Sequence, residues 1–110
     1  MTPRMQKVNS LLKQHLGEAL VRTLSLKPGV FVVISKVDTE PDLRYTRVSV
    51  GVFPTSEAPY ALKTLEHERG ALQKHLSQTL TMKRLPRLVF VHDTTEAEAD
   101  DIEKILRDLS

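Results

Sequence analysis

The chain contains no cysteine, which excludes a disulfide framework, a thiolate metal site and a cysteine nucleophile together. That absence also agrees with a reducing compartment. Tryptophan is absent as well, and the aromatics amount to three phenylalanines and two tyrosines. A platform that stacks successive single-stranded bases has little to be built from, and the phenylalanines fall in strand patterns where core positions are expected. Glycine occurs four times, with no GxGxxG, Walker loop or GxSxG, so the phosphate cradles and nucleophile elbows that depend on glycine are missing. The longest unbroken apolar run is Val30-Phe31-Val32-Val33-Ile34, far short of the roughly twenty residues a membrane helix needs. No hydrophobic stretch follows Met1-Thr2-Pro3-Arg4-Met5, so neither a secretory leader nor a membrane partner is expected and the protein is placed in the cytoplasm.

Catalytic and metal-binding patterns are equally thin. His15, His67, His75 and His92 form no HExxH or other close ligand pair, and each reads as a helix-surface or strand-end residue. His92-Asp93 could imitate a base with its orienting carboxylate, but neighbours on a strand point to opposite faces. No enzyme, metal or cofactor is expected.

What is present suits one domain over 1–110. The 110 residues are 40% apolar and 27% charged, enough for a single core. Net charge is only +2, but residues 93–110 hold seven acids (Asp93, Glu96, Glu98, Asp100, Asp101, Glu103, Asp108) against Lys104 and Arg107. The other 92 residues therefore carry fourteen bases against seven acids. That asymmetry points to an anionic partner.

Met5, Val8, Leu12, Leu16 and Ala19 recur at steps of three and four, the stripe of an amphipathic helix that Pro28-Gly29 stops. Val30–Val37 and Arg47–Phe53 read as strands, and the turn-prone Thr39-Glu40-Pro41-Asp42 between them predicts an antiparallel hairpin. Tyr45, Arg47 and Ser49 then share the face opposite the valines. Pro54-Thr55-Ser56 offers a helix cap, and Ala58, Ala61, Leu62 and Leu65 begin a helix. Leu72, Leu76 and Leu80 continue the apolar pattern beyond Gly70, either as a second helix joined there or as one helix through residue 80; the pattern leaves both open. Arg87–Val91 is a third strand. Thr95 with Glu98 forms a capping box for a terminal helix whose apolar face is Ile102, Ile105, Leu106 and Leu109. This is an α+β pattern, in which a three-stranded sheet with helices packed on one face buries the stripes.

The basic residues are positioned rather than scattered. Arg44 and Arg47 lie on the second strand, Arg69 and Lys74 flank Gly70, and Lys83, Arg84 and Arg87 crowd the approach to the third strand. Solvent or a partner must take such charges, and with few aromatics they favour phosphate and shape contacts with structured RNA. Arg4 and Lys7 are secondary, as helix-end charges.

Asp42-Leu43-Arg44-Tyr45-Thr46-Arg47-Val48-Ser49-Val50, the stretch from Gly70 through Leu80, Met82-Lys83-Arg84-Leu85-Pro86-Arg87-Leu88 and Phe90-Val91-His92-Asp93 together resemble the ribosome-binding factor A family, in matching order and spacing over nearly the whole chain. The resemblance implies a type II KH-like domain of order αββααβ, here with a C-terminal helix. It also implies a non-catalytic assembly factor that binds the immature small ribosomal subunit and its ribosomal RNA; a monomer is expected. The family bends its second helical region at an Ala-x-Gly triplet; here Glu68-Arg69-Gly70 keeps the glycine and replaces the alanine by an acid. The RNA-binding residues expected on this reading are Arg44, Arg47, Arg69, Gly70, Lys74, Lys83, Arg84 and Arg87. A different reading takes the acidic C-terminal helix as the working surface of a protein-binding adaptor.

Overall fold

A computed structural model describes residues 3–80 and 85–93. Its elements follow in the order α1 (Pro3–Thr23), β1 (Phe31–Thr39), β2 (Tyr45–Phe53), a 3-10 turn (Thr55–Glu57), α2 (Ala58–Thr79) and β3 (Arg87–His92). Pro3 opens α1, where its missing N–H costs nothing. The helix buries Asn9, Leu12, Leu16, Ala19 and Leu20 along one face. After it, the Val30 N–H reaches the Lys27 carbonyl at 3.2 Å, closing a turn with Pro28 and Gly29 at its centre. Gly29 has φ +86°, and a turn of this kind requires a left-handed residue at that place, which only glycine adopts without strain. The Lys27 ammonium bonds Glu57 at 2.7 Å and sits 4.8 Å above the Tyr60 ring, tying this turn to the start of α2.

β1 and β2 form the expected antiparallel hairpin, paired from Phe31↔Phe53 to Thr39↔Thr46. The register slips at Ser35, an extra residue between Ile34 and Lys36. A bulge changes which side chains face inward. Before it Val32 and Ile34 pack against the core, and after it Val37 and Thr39 are buried. β3 adds beside β2 in parallel, from Tyr45↔Arg87 to Val50↔His92. A parallel neighbour needs a crossover, and α2 supplies it.

The core lies between the sheet and both helices. Val48, Val50 and Val52 of β2 and Leu88 and Phe90 of β3 meet Leu16 and Ala19 of α1 and Ala61, Leu65, Leu72 and Leu76 of α2. The alternate strand residues, among them Phe31, Val33, Tyr45, Arg47, Arg87 and Val89, are exposed. The helices therefore cover one face of the sheet and leave the other open, as expected. One buried polar group sits among these contacts: Asn9 Oδ1 accepts the Thr39 N–H at 2.9 Å, and the hydroxyls of Thr39 and Thr46 meet at 2.9 Å.

Three expectations are corrected. The second helical region is one helix, unbroken from Ala58 to Thr79, so the described order is α-β-β-α-β. Gly70 has no positive φ and open space where a Cβ would stand, and the two leucine stripes face the core from a single rod. The cap foreseen from Thr55 and Ser56 makes no side-chain bond; a 3-10 turn in which the Glu57 N–H reaches the Pro54 carbonyl at 2.9 Å leads into α2 instead. Phe31 is 52% exposed rather than core, because it points to the uncovered face. The helix foreseen from Thr95 onward lies outside the described residues.

Candidate nucleic-acid interface

The open face of the sheet carries three of the expected site residues together. Arg87 on β3 pairs with Tyr45 on β2, and Arg47, two residues along, pairs with Val89. Paired residues share a face, so Tyr45, Arg47, Arg87 and Val89 project the same way. Arg44 stands at the mouth of β2, where its carbonyl accepts the Arg87 N–H at 2.8 Å. A tight turn presents it. The Leu43 N–H bonds the Glu40 carbonyl at 2.9 Å, Asp42 Oδ1 accepts the Arg44 N–H at 3.1 Å, and Leu43 takes φ +61°. An aspartate that bonds the backbone two residues on is a local device for making such a turn.

Two shallow pockets meet at Tyr45. One, of about 290 Å³, is lined by Arg44, Tyr45, Leu85 and Arg87. The other, of about 270 Å³, lies between the hairpin turn and Arg47, with Asp38, Glu40 and Val89 in its wall. Tyr45 is 44% exposed and separates them, with guanidinium groups on either side. This is an arrangement for an anionic backbone: arginines offer forked donors for phosphate oxygens, and an exposed ring beside them gives one flat contact. The Asp38 and Glu40 carboxylates limit the positive field on the hairpin side, and Asp42 Oδ2, 3.7 Å from Arg44 Nε, offsets part of the charge on the Arg44–Arg87 side.

The remaining expected residues are not part of this cluster. Arg69, Gly70 and Lys74 ride on α2, in the helical layer. Arg69 Nη1 is bound to Glu66 Oε2 at 2.8 Å, which offsets its charge, whereas Lys74 is exposed. Between the two groups lies the outer edge of β3, and Gln73 of α2 clasps it. The Gln73 amide nitrogen donates to the Pro86 carbonyl at 2.7 Å, and its oxygen accepts the Leu88 N–H at 3.2 Å. Lys83 and Arg84, which connect the groups along the chain, lie outside the described residues. Tyr45 is the residue that the sequence reading left out of the site, although its alternation with Arg47 and Ser49 had already placed it on their face. Among the described residues no group of three His, Asp or Glu side chains is arranged to hold a metal ion, and no helix is long and apolar enough to cross a membrane.

A three-stranded mixed sheet with helices on one face, and arginines around a tyrosine on the other, defines a KH-like α+β domain. The chain belongs to the ribosome-binding factor A family, whose model matches residues 4–106. It is 28% identical over 109 residues to ribosome-binding factor A of Akkermansia muciniphila, covering 99% of this chain and 86% of that one. It is 27% identical over 108 residues to that of Natranaerobius thermophilus, covering 97% and 82%. Among solved structures, the crystal structure of ribosome-binding factor A from Thermus thermophilus superposes with a TM-score of 0.71 at 26% identity, over 80% of this chain and 93% of that chain. A Thermus thermophilus homology model fitted into the cryo-EM map of a 30S complex with the factor superposes with a TM-score of 0.66 at 28% identity, over 76% and 88%.

Proposed function

We propose that this protein is a non-catalytic assembly factor of the cytoplasm that binds the immature small ribosomal subunit during maturation, with residues 1–110 acting as one RNA-binding unit. The juxtaposition of Arg44, Arg47 and Arg87 around Tyr45 carries the reading, because it turns an otherwise weakly charged molecule into one with a localised phosphate surface. Membership of the family supports it, as does the relative fitted to a 30S complex. In this reading the three arginines of the sheet hold ribosomal RNA phosphates, and Lys83 and Arg84 extend the surface. Arg69, Gly70 and Lys74 form a second contact line along α2 that meets the first around the β3 edge. Phosphate contacts position the protein without reading sequence, so recognition rests on the shape of folded RNA.

The test is binding to small-subunit RNA as a function of salt. Each neutralised phosphate contributes a slope of roughly 0.7–0.9 in log affinity against log salt. Replacing Arg47 and Arg87 by alanine should each reduce the slope by about one contact and weaken binding uniformly across sequences. Cell extract run on a density gradient should show the protein with free small subunits. A slope unchanged in both variants removes the sheet face from the interface, and a protein that sediments with neither subunits nor ribosomes ends the assembly-factor reading.

A further inference from the structure

The two pockets that meet at Tyr45 differ in the chemistry of their walls, and only one of them suits a phosphate. Arg44 and Arg87 line the first. The second, of about 270 Å³, has Asp38 and Glu40 in its wall together with Tyr45, Arg47 and Val89. A phosphate pressed into it would meet two carboxylates, and like charges at close range repel. A neutral planar group would meet the exposed Tyr45 ring, the apolar Val89 and two hydrogen-bond acceptors. Asp38 is the register partner of Arg47. Even so, among the described residues no basic side chain lies within ion-pair distance of the Asp38 or Glu40 carboxylate.

The walls of this pocket are held in place. The Glu40 N–H bonds the Tyr45 carbonyl at 2.9 Å, and the Leu43 N–H bonds the Glu40 carbonyl at 2.9 Å. Thr39, between the two acids, is buried and its N–H is fixed by Asn9 Oδ1 at 2.9 Å. A site formed before its ligand arrives loses little freedom on binding. Its volume lies just below the ~300–1,000 Å³ of sites for larger ligands, which suits a single base. Unpaired bases in RNA are recognised in this way, by stacking on an aromatic ring and by hydrogen bonds along an exposed edge. A carboxylate is an acceptor only, with two oxygens side by side. Guanine alone among the four bases offers two adjacent donors, N1–H and the N2 amino group. Adenine and cytosine set a ring acceptor beside their amino group, and uracil sets its one N–H between two carbonyl oxygens, so each turns a lone pair toward the carboxylate.

We propose that the pocket between the hairpin turn and Arg47 receives one unpaired guanine of the RNA, its ring stacked on Tyr45 and its N1–H and N2 amino group donating to the Asp38 carboxylate. Glu40, exposed at the rim, keeps phosphates out of the pocket. Arg47 and the Arg44–Arg87 pair hold backbone phosphates on either side of that nucleotide. The inference rests on the RNA-binding reading above and adds to its recognition of shape one position at which a base is read.

The test uses the full chain and RNA hairpins of identical stem, whose uridine loop carries guanosine, inosine or adenosine at one position. The guanosine loop should bind about fivefold or more tighter than the adenosine loop, the worth of one good bidentate contact. Inosine lacks the amino group and should fall between them. Asp38→Asn should bring the guanosine and adenosine loops to near equality, and Tyr45→Ala should weaken the guanosine loop by about fivefold or more through lost stacking, with far-UV circular dichroism showing both variants folded. Equal affinity of the unaltered protein for the guanosine and adenosine loops overturns the proposal, and that comparison needs no variant to fold. If such equal binding still falls steeply with salt, the phosphate surface stands and the base pocket alone fails; if no loop binds, both readings fail together. A guanosine preference that survives Asp38→Asn also overturns the proposal. So does displacement of the RNA by an equal concentration of guanosine monophosphate, which would make the ligand a free nucleotide.

Discussion

Asn9 breaks the apolar stripe of α1, and its burial has a definite cause. The side-chain oxygen takes up the Thr39 N–H at the last pair of the hairpin, where Thr39 and Thr46 already share a hydroxyl bond. Buried polar groups are tolerated when each finds a partner. Replacing Asn9 by alanine strands the Thr39 N–H and should cost about 1–3 kcal/mol in denaturant unfolding. Gly70 shows the opposite situation. It lies inside a continuous helix with free space around its missing Cβ. Gly70→Ala should therefore stabilise the protein, by about 0.4–1 kcal/mol, through the lower entropy of the unfolded chain. A measured loss of stability would show that the backbone at Gly70 departs from helical geometry. Leu72 and Leu76, both fully buried, belong to the same rod as Leu65, so Leu72→Ala should cost roughly 2–5 kcal/mol.

At the level of elements, α2 both crosses over the sheet and closes one of its edges. Gln73 serves the Leu88 N–H on β3 and the Pro86 carbonyl just before it, in the manner of a neighbouring strand. Gln73→Glu keeps the acceptor for the Leu88 N–H and loses the donor to Pro86, whereas Gln73→Leu loses both. Amide exchange at Leu88 should accelerate in the leucine variant and much less in the glutamate variant, since exchange reports local opening. Equal rates in the two would mean that the side chain does not protect the strand. β1 is finished differently. Its bulge turns the side chains by one position, and this explains why Val30–Val37 shows no clean alternation: a strand with a phase shift presents apolar residues at both odd and even positions. Phe31 and Val33 are exposed for that reason, and among the described residues no strand pairs with the outer side of β1.

For the molecule as a whole, a net charge of +2 conceals a polar distribution. Arg44, Arg47 and Arg87 gather on the open sheet face, and the acids gather at the C-terminal end of the chain. For acids that make no contact with the RNA, Asp100→Asn with Asp101→Asn should leave stability within about 0.5 kcal/mol. RNA affinity should rise slightly and uniformly, through the general field alone. The gain should fade above physiological ionic strength, where charges are screened beyond about 8 Å. Titrations of the same RNA at two salt concentrations measure this. A large gain confined to one RNA would place the acids at the interface.

The sequence by itself determined the kinds of element and much of their order. Helical and strand periodicities are properties of neighbouring residues, and they placed α1, the hairpin, β3 and the shared face of Tyr45, Arg47 and Ser49. Spaced motifs were enough to identify the family. Only the tertiary structure decided that α2 runs straight through Gly70, since a glycine is compatible with a joint or a helix and the packing of Leu65, Leu72 and Leu76 on one sheet selects the helix. It alone decided that Phe31 faces outward, because the Ser35 bulge exists only in the pairing with β2. It also divided the described members of the expected basic set into a sheet group, Arg44, Arg47 and Arg87, and a helix group, Arg69 and Lys74, with Gln73 between them. Which arginines stand together depends on strand register and on the parallel pairing of β2 with β3, contacts between residues about forty positions apart, and no local pattern encodes those.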